Sequence, residues 1–369
     1  MARLAESLGR QGAVVRVLSL NPRKHRVPLI TAPLPLELVD VDTSRIVGPT
    51  FEALTSRVPF LVTRFVSHEL RLALRRVLTA WKPDIVQIES PFLLPYVDEI
   101  RAHSKARVVL RSLNVEFQIW QLLAHDESNL VKRFFLRTIA ESLRRYETRS
   151  LDLPDAIVPI SCDDLDEFRR LGATRPMHVA PCGMSAAEVR DDVSVPMTVG
   201  FIGSLDFRPN QQAVRWILDE LWPRVVARLP EARLSIAGSS PPAWLRERVF
   251  ASSVDFLGFV DDAQSFLRRM SVVIAPLFAG GGMRIKVLEA MSLGRPVVAT
   301  ALGAGGIDVE HGRDILFAEE TEAFATQVVR LLTDKELRVG LGAAARQTVA
   351  ERYDDDRIAK GLLDFYRSL

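Results

Sequence analysis

At 369 residues the chain exceeds what one hydrophobic core usually organises, so two domains are expected. Hydrophobic residues make up 48% and charged residues 25%, a balance too apolar for a disordered chain. A net charge of +2 is too small to draw in nucleic acid by bulk attraction, and no apolar run reaches the roughly 18 to 20 residues of a membrane-spanning helix. The first residues also lack the order of a signal peptide, so the expected address is the cytoplasm.

Residues 1–10 are predicted as a helix and residues 13–20 (AVVRVLSL) as a strand. After an irregular, Pro-containing stretch, residues 56–81 carry apolar side chains at helical spacing and read as one amphipathic helix. β-Branched runs then alternate with helical ones: strands are predicted at 84–89, 106–112, 155–161 and 177–182, with a long helical segment over 116–149. Connections of this length imply crossovers and hence a parallel sheet covered on both faces.

Residues 183–196 lose periodicity and are the expected linker. A second α/β unit follows, with strands predicted at 198–203, 232–238, 254–258, 272–276, 296–300 and 314–318 and helices at 321–333, 335–353 and 356–369. Cys162 and Cys182 have no CxxC spacing and read as free thiols. The histidines show no ligand spacing, so no metal is expected.

The densest chemical signal is APLFAGGGMRIKVLEAMSLGRPVVAT, residues 275–300. Gly280, Gly281 and Gly282 follow a strand, and a helix is predicted to begin near Met283 with Arg284 and Lys286 in its first turn. Glycines permit close backbone approach, and the free amides and dipole of a helix N-terminus favour an anion. Two cations there oppose the dipole unless an anion compensates them, and a diphosphate would do so. Lys286 and Glu289 share a helix face, whereas Arg284 must curl over the helix end. On these residues alone, a glycine-rich turn with solvated basic side chains remains the competing reading.

This run resembles the retaining glycosyltransferases of family 4, together with FIGSLDFRPN (201–210), LSIAGSSP (234–241), VDFLGFVDD (254–262) and GAGGIDVEHGRDILFAEE (303–320). The resemblance implies a GT-B fold, α/β, with two doubly wound Rossmann-like domains facing across a cleft. These are an acceptor-side domain at 1–183, a nucleotide-sugar-binding domain at 197–353, and a C-terminal helix at 354–369 that returns to the first domain. It implies transfer of a hexose from a nucleotide-diphosphate sugar to a polysaccharide or lipid-linked acceptor, with retention and without a cofactor or metal. Arg284 and Lys286 would neutralise the diphosphate, and Glu289 would receive the ribose hydroxyls. Phe259 and Val260 would present backbone to the base, Gly203 and Ser204 would close over the phosphates, and the loop from Gly280 to Met283 would cradle them.

The sequence departs from the family pattern at several points. Gly281 stands where a first glutamate is common, and Ser204 where a basic residue is common, with Arg208 the nearby substitute. In the first domain Asn114 and Glu116 match an acceptor-side segment, but Leu113 replaces its histidine. A strand and a glycine-rich loop precede the first helix in the family and are not found here. These departures leave a catalytically impaired partner protein as the alternative, with a sugar-nucleotide epimerase or phosphorylase on the same fold as the enzymatic rival. A nicotinamide-dependent dehydrogenase is disfavoured, because neither half opens on strand-GxGxxG-helix.

Arginines at 57, 64, 71, 75 and 76 flank the apolar face of the 56–81 helix, and Lys132, Arg133, Arg137, Arg144, Arg145 and Arg149 form a second cluster. Either would suit peripheral contact with the inner membrane face, and a solvated helix face explains either equally well.

Overall fold

The computed structural model describes residues 2–22, 34–43, 58–125, 127–184, 194–249 and 254–369. The chain divides into two compact units, Met1–Pro181 with Asp355–Leu369, and Cys182–Asp354. Among the described residues no helix is long and apolar enough to cross a membrane.

The first unit begins with α1 (Ala2–Arg10), β1 (Val17–Pro22), β2 (Leu36–Val41), α2 (Phe60–Thr63), α3 (His68–Trp81), β3 (Ile85–Ile88) and α4 (Val97–His103). It continues with β4 (Arg107–Ser112), α5 (Glu116–His125), α6 (Leu130–Ser150), β5 (Ala156–Pro159) and α7 (Cys162–Arg170). Strands β1 and β2 pair parallel, and β3-β4-β5 form a separate parallel sheet. The last helix of the chain, Asp355–Arg367, belongs to this unit. Its Ile358, Ala359 and Leu362 are buried with Leu4 and Leu8 of α1 and with Val109 and Val158 of the sheet.

Four expectations need correction here. The stretch taken as irregular contains β2, whose buried Val39 and Val41 pack on Leu70, Ala73 and Tyr96. The single helix expected over 56–81 is two, and its first two residues lie outside the described residues. The break is held by the Tyr96 hydroxyl, which accepts from Ser67 N at 2.7 Å and donates to Phe65 O at 2.8 Å, while the Ser67 side chain caps α3 by accepting from Leu70 N. The 116–149 segment is likewise split, with Asn129 capping α6 through bonds from Val131 N and Lys132 N. The strand expected at 177–182 runs beside β5 as a bridge at Met177 and Ile157, with backbone bonds from His178 N to Ile157 O and Ala180 N to Pro159 O, and Pro159 has no N–H to complete the ladder.

The second unit contains β6 (Thr198–Ile202), α8 (Arg208–Trp216), α9 (Trp222–Arg228), β7 (Arg233–Ala237), α10 (Ala243–Val249), β8 (Val254–Gly258) and α11 (Ala263–Arg268). Then come β9 (Val272–Ala275), α12 (Ile285–Ser292), β10 (Val297–Ala299), β11 (Leu316–Phe317), α13 (Thr321–Thr333) and α14 (Lys335–Arg352). The six strands are all parallel in the order β11-β10-β9-β6-β7-β8. The near-continuous apolar runs of β6, β9 and β10 fit burial on both faces, while the edge strand β8 has exposed positions at Asp255 and Leu257. Val199, Leu234, Ile236 and Ile274 share one core with Val225, Val328 and Leu331 of the covering helices. The strand order reverses between β6 and β9, which is where a sheet of this kind opens a crevice at its carboxyl edge.

Candidate functional site

The loops that leave β6, β9 and β10 emerge level with one another. Gly200 lies opposite Val273, and Ala299 opposite Ala275, so residues 203, 276 and 300 begin their loops at one height along the strands. This is the switch point, and the glycine-rich run follows β9 there.

Close backbone contacts fix these loops. A Cβ on Gly303 would lie 1.9 Å from Ala275 O, and one on Gly238 would lie 2.1 Å from Gly203 O, so only glycine lets the neighbouring turns approach. Thr300 donates its hydroxyl to Leu277 O at 2.6 Å and accepts from Gly303 N at 3.0 Å. The turns after β9 and β10 are thereby tied together.

Gly280 and Gly282 have positive φ, at 109° and 76°, and turn the chain back toward α12. The helix starts at Ile285, later than expected, and Arg284 is its N-cap residue. The guanidinium curls back into the loop: Nη2 donates to Gly280 O at 2.8 Å, Nη1 to Gly281 O at 2.9 Å, and Nε to Leu302 O at 3.1 Å. Three of its five N–H groups therefore shape the loop. Burial lowers its pKa from the ordinary value, but an arginine stays charged at neutral pH. Lys286 donates to Glu289 Oε2 at 2.7 Å, and Glu289 is buried. Met283 is buried against Gly306, whose backbone approaches its Cα. No side-chain or backbone atom lies within 4 Å of where a Cβ on Gly281 would stand, so this position faces open space.

Beyond β6, Gly203 N donates to Ala237 O at 3.1 Å, and the Ser204 hydroxyl reaches Asp206 at 2.6 Å. Arg208 is the first residue of α8. Phe259 and Val260 follow the edge strand β8, three strands from β9, which is about 14 Å across the sheet. The Phe259 ring is 70% exposed. A cavity of about 340 Å³ lies elsewhere, against α11, lined by Thr198, Arg233, Asp255 and Phe266; of the predicted site residues only Val260 borders it. The structure thus brings together the loop from Gly280 to Met283, Arg284, Lys286 and Glu289. It sets Phe259 and Val260 apart from them. Among the described residues no cluster of His, Cys, Asp and Glu has the arrangement of a metal site.

In the first unit Asn114 and Glu116 follow β4, beside Leu113. Glu147 of α6, which the sequence reading did not single out, holds the start of α5. Its carboxylate accepts from Glu116 N at 3.0 Å and Phe117 N at 2.9 Å, satisfying two free amides at the start of α5. A signal existed: Glu147 lies four residues beyond buried Leu143, on the apolar stripe of its helix. Burial pushes both carboxyls up to about 7, opposed at Glu147 by the two amides and at Glu116 by a hydrogen bond from Asn114.

A folded-state pKa above the unfolded value means tighter proton binding in the folded chain. This contribution is full below about pH 4.5 and is lost as the pH rises through about 7. The thermal midpoint is expected to fall across that window, and to fall less in Glu147→Gln, which cannot ionise. Equal slopes in the two proteins would contradict it.

Comparison with known proteins identifies the class. Residues 1–183 match the profile described as Glycosyl transferase 4-like domain, and residues 196–334 match Glycosyl transferases group 1. The whole chain superimposes on Anabaena HepE, solved in complex with UDP-glucose, with a TM-score of 0.69 at 15% identity, covering 100% of this chain and 96% of that one. It superimposes on sucrose-phosphate synthase from Thermosynechococcus elongatus with a TM-score of 0.71 at 16% identity, covering 99% and 91%. The chain belongs to the GT-B glycosyltransferases of the group 1 and family 4 type. In sequence it is 33% identical over 179 residues to the phosphatidyl-myo-inositol mannosyltransferase of Mycolicibacterium smegmatis, a match spanning 47% of this chain and 45% of that enzyme. It is 23% identical over 301 residues to an uncharacterized protein of the cps region of Klebsiella pneumoniae, spanning 78% and 75%.

Proposed function

We infer that the protein transfers a hexose from a nucleoside-diphosphate sugar to a glycan or lipid-linked acceptor at the cytoplasmic face of the membrane, with retention of anomeric configuration. The observation that carries the donor reading is the Arg284 guanidinium, fixed by three loop carbonyls at the switch point of the second sheet. Departure of a nucleoside diphosphate builds negative charge on its phosphates, and a cation already held in place stabilises that charge without reorganising. Lys286 adds a second cation, and Glu289 offers its carboxylate to the ribose hydroxyls. Gly203 and Ser204 close the phosphate side, and Phe259 and Val260, apart from the loop and about 14 Å across the sheet, supply backbone to a base at the far end of an extended nucleotide. With two fixed cations opposite the diphosphate, the reaction needs no metal ion.

The Mycolicibacterium relative acts on a phosphatidyl-inositol, and HepE binds UDP-glucose, which supports a sugar nucleotide on one side and a lipid-linked or glycan acceptor on the other. Calorimetric titration with UDP and with GDP, in the presence of a chelator, tests the donor reading. Saturable binding of one nucleotide is expected, and its dependence on added metal would overturn the metal-free part.

A further inference from the structure

A helix at a protein surface normally turns polar side chains to water and apolar ones inward. The first two turns of α6 do not. Leu130, Val131, Phe134 and Phe135 are 68%, 78%, 74% and 63% exposed. Counted at 3.6 residues per turn, they occupy the face opposite Leu136, Ala140 and Leu143, the side by which α6 packs on its own unit. Two phenylalanines, a leucine and a valine on adjoining turns form a contiguous apolar patch at the tip of the α5–α6 hairpin, and such patches mark contact sites.

On the turns that carry the patch the charge is of one sign. Lys132 borders it on one side, Arg133 and Arg137 on the other, and no acidic residue occurs from Leu130 to Ala140. Farther along the same face the sequence changes from apolar to charged, with Glu141 paired to Arg145 at 2.9 Å and Arg149 beyond. Arg145 lies about 16 Å along the helix from Phe134. The basic face of α3 is arranged differently. Arg75 donates to both Glu99 oxygens, Arg71 lies 3.8 Å from Glu99, and Arg76 pairs with Glu37. These arginines are engaged by carboxylates of their own unit.

We propose that the tip of α6 is a membrane-docking surface, in which Leu130, Val131, Phe134 and Phe135 enter the headgroup-acyl boundary of an anionic bilayer while Lys132, Arg133 and Arg137 meet lipid phosphates. Apolar area and basic charge act together in such interfacial binding, and neither holds a protein firmly alone. A second copy of the chain is the poorer occupant, because two like patches meeting face to face would bring their cations together. The proposal assigns a surface to the membrane contact stated above and rests on that reading for its purpose, but its test is separate from donor binding.

The full chain is mixed with vesicles of phosphatidylcholine alone and of phosphatidylcholine with phosphatidylglycerol, and the bound fraction is read by co-sedimentation. Binding is expected on the anionic vesicles and should weaken as salt rises. Phe134→Ser with Phe135→Ser is expected to reduce it by about tenfold or more, and Arg137→Glu by severalfold. Both variants should keep the wild-type circular dichroism spectrum and nucleotide titration, since all three side chains are exposed. No binding to anionic vesicles, or binding that the phenylalanine variant retains, overturns the proposal. So does a wild-type dimer in size-exclusion chromatography that the phenylalanine variant converts to monomer.

Discussion

Replacing Arg284 by alanine is expected to lower kcat/KM for sugar transfer by about 100- to 1,000-fold, the loss seen when one fixed donor to a developing anion is removed. Two effects combine. The variant removes the cation facing the leaving diphosphate, and it frees the carbonyls of Gly280, Gly281 and Leu302 that the guanidinium now holds. Arg284→Lys separates them. A lysine keeps the charge but is a point donor that cannot reproduce a planar fork across three carbonyls, so it should recover about tenfold at most. Near-complete recovery by lysine would mean that charge alone matters and that the loop geometry is incidental.

The largest effect on folding is expected at Gly303. An alanine Cβ there would lie 1.9 Å from Ala275 O and 3.0 Å from Thr300 Oγ1, a clash with backbone that no side-chain rotation relieves. The turn after β10 would have to lift away from the end of β9, at a cost of about 3 kcal/mol, a large part of the roughly 5 to 15 kcal/mol that holds a domain folded. Gly281→Ala, a few residues from Arg284 in the same site, makes the contrast. Its Cβ meets nothing within 4 Å, so stability should change by no more than about 0.5 kcal/mol. Urea denaturation of the two variants decides the matter: similar midpoints would mean that the close approach of Gly303 to β9 is not needed for folding.

What the sequence disclosed and what it hid follow physical lines. β6, β9 and β10 of the second sheet were legible because each is a short run rich in β-branched residues and free of charge, as burial on both faces requires, and β7 and β8 because glycine closes the run. That the glycine-rich loop follows a strand was legible too, but its position at the switch point came only with the strand order of the folded sheet. The Arg284 hydrogen bonds did not, since they depend on where the chain bends after Gly282, and a helix N-terminus shifts by a residue or two without changing the pattern. β2 was hidden because its burial comes from Leu70, Ala73 and Tyr96, distant in sequence. The break before α3 was legible in principle, from Ser67 ahead of a helical run, but the apolar periodicity continues across it. Glu147 and the exposed phenylalanines of α6 are two forms of one difficulty. Periodicity shows which residues share a face, and only packing shows which face is covered.

The claim on which the rest depends is that the loop from Gly280 to Arg284, with Lys286, receives a nucleoside diphosphate. The most direct test is calorimetric titration of UDP and GDP into the wild-type chain and into the Arg284→Ala, Lys286→Ala double variant, each shown to be folded by circular dichroism. A donor site at this loop predicts saturable binding of one nucleotide to the wild type and at least about a tenfold loss of affinity in the variant. Equal affinity in the two proteins, or no binding of either nucleotide to folded wild-type protein, would contradict it.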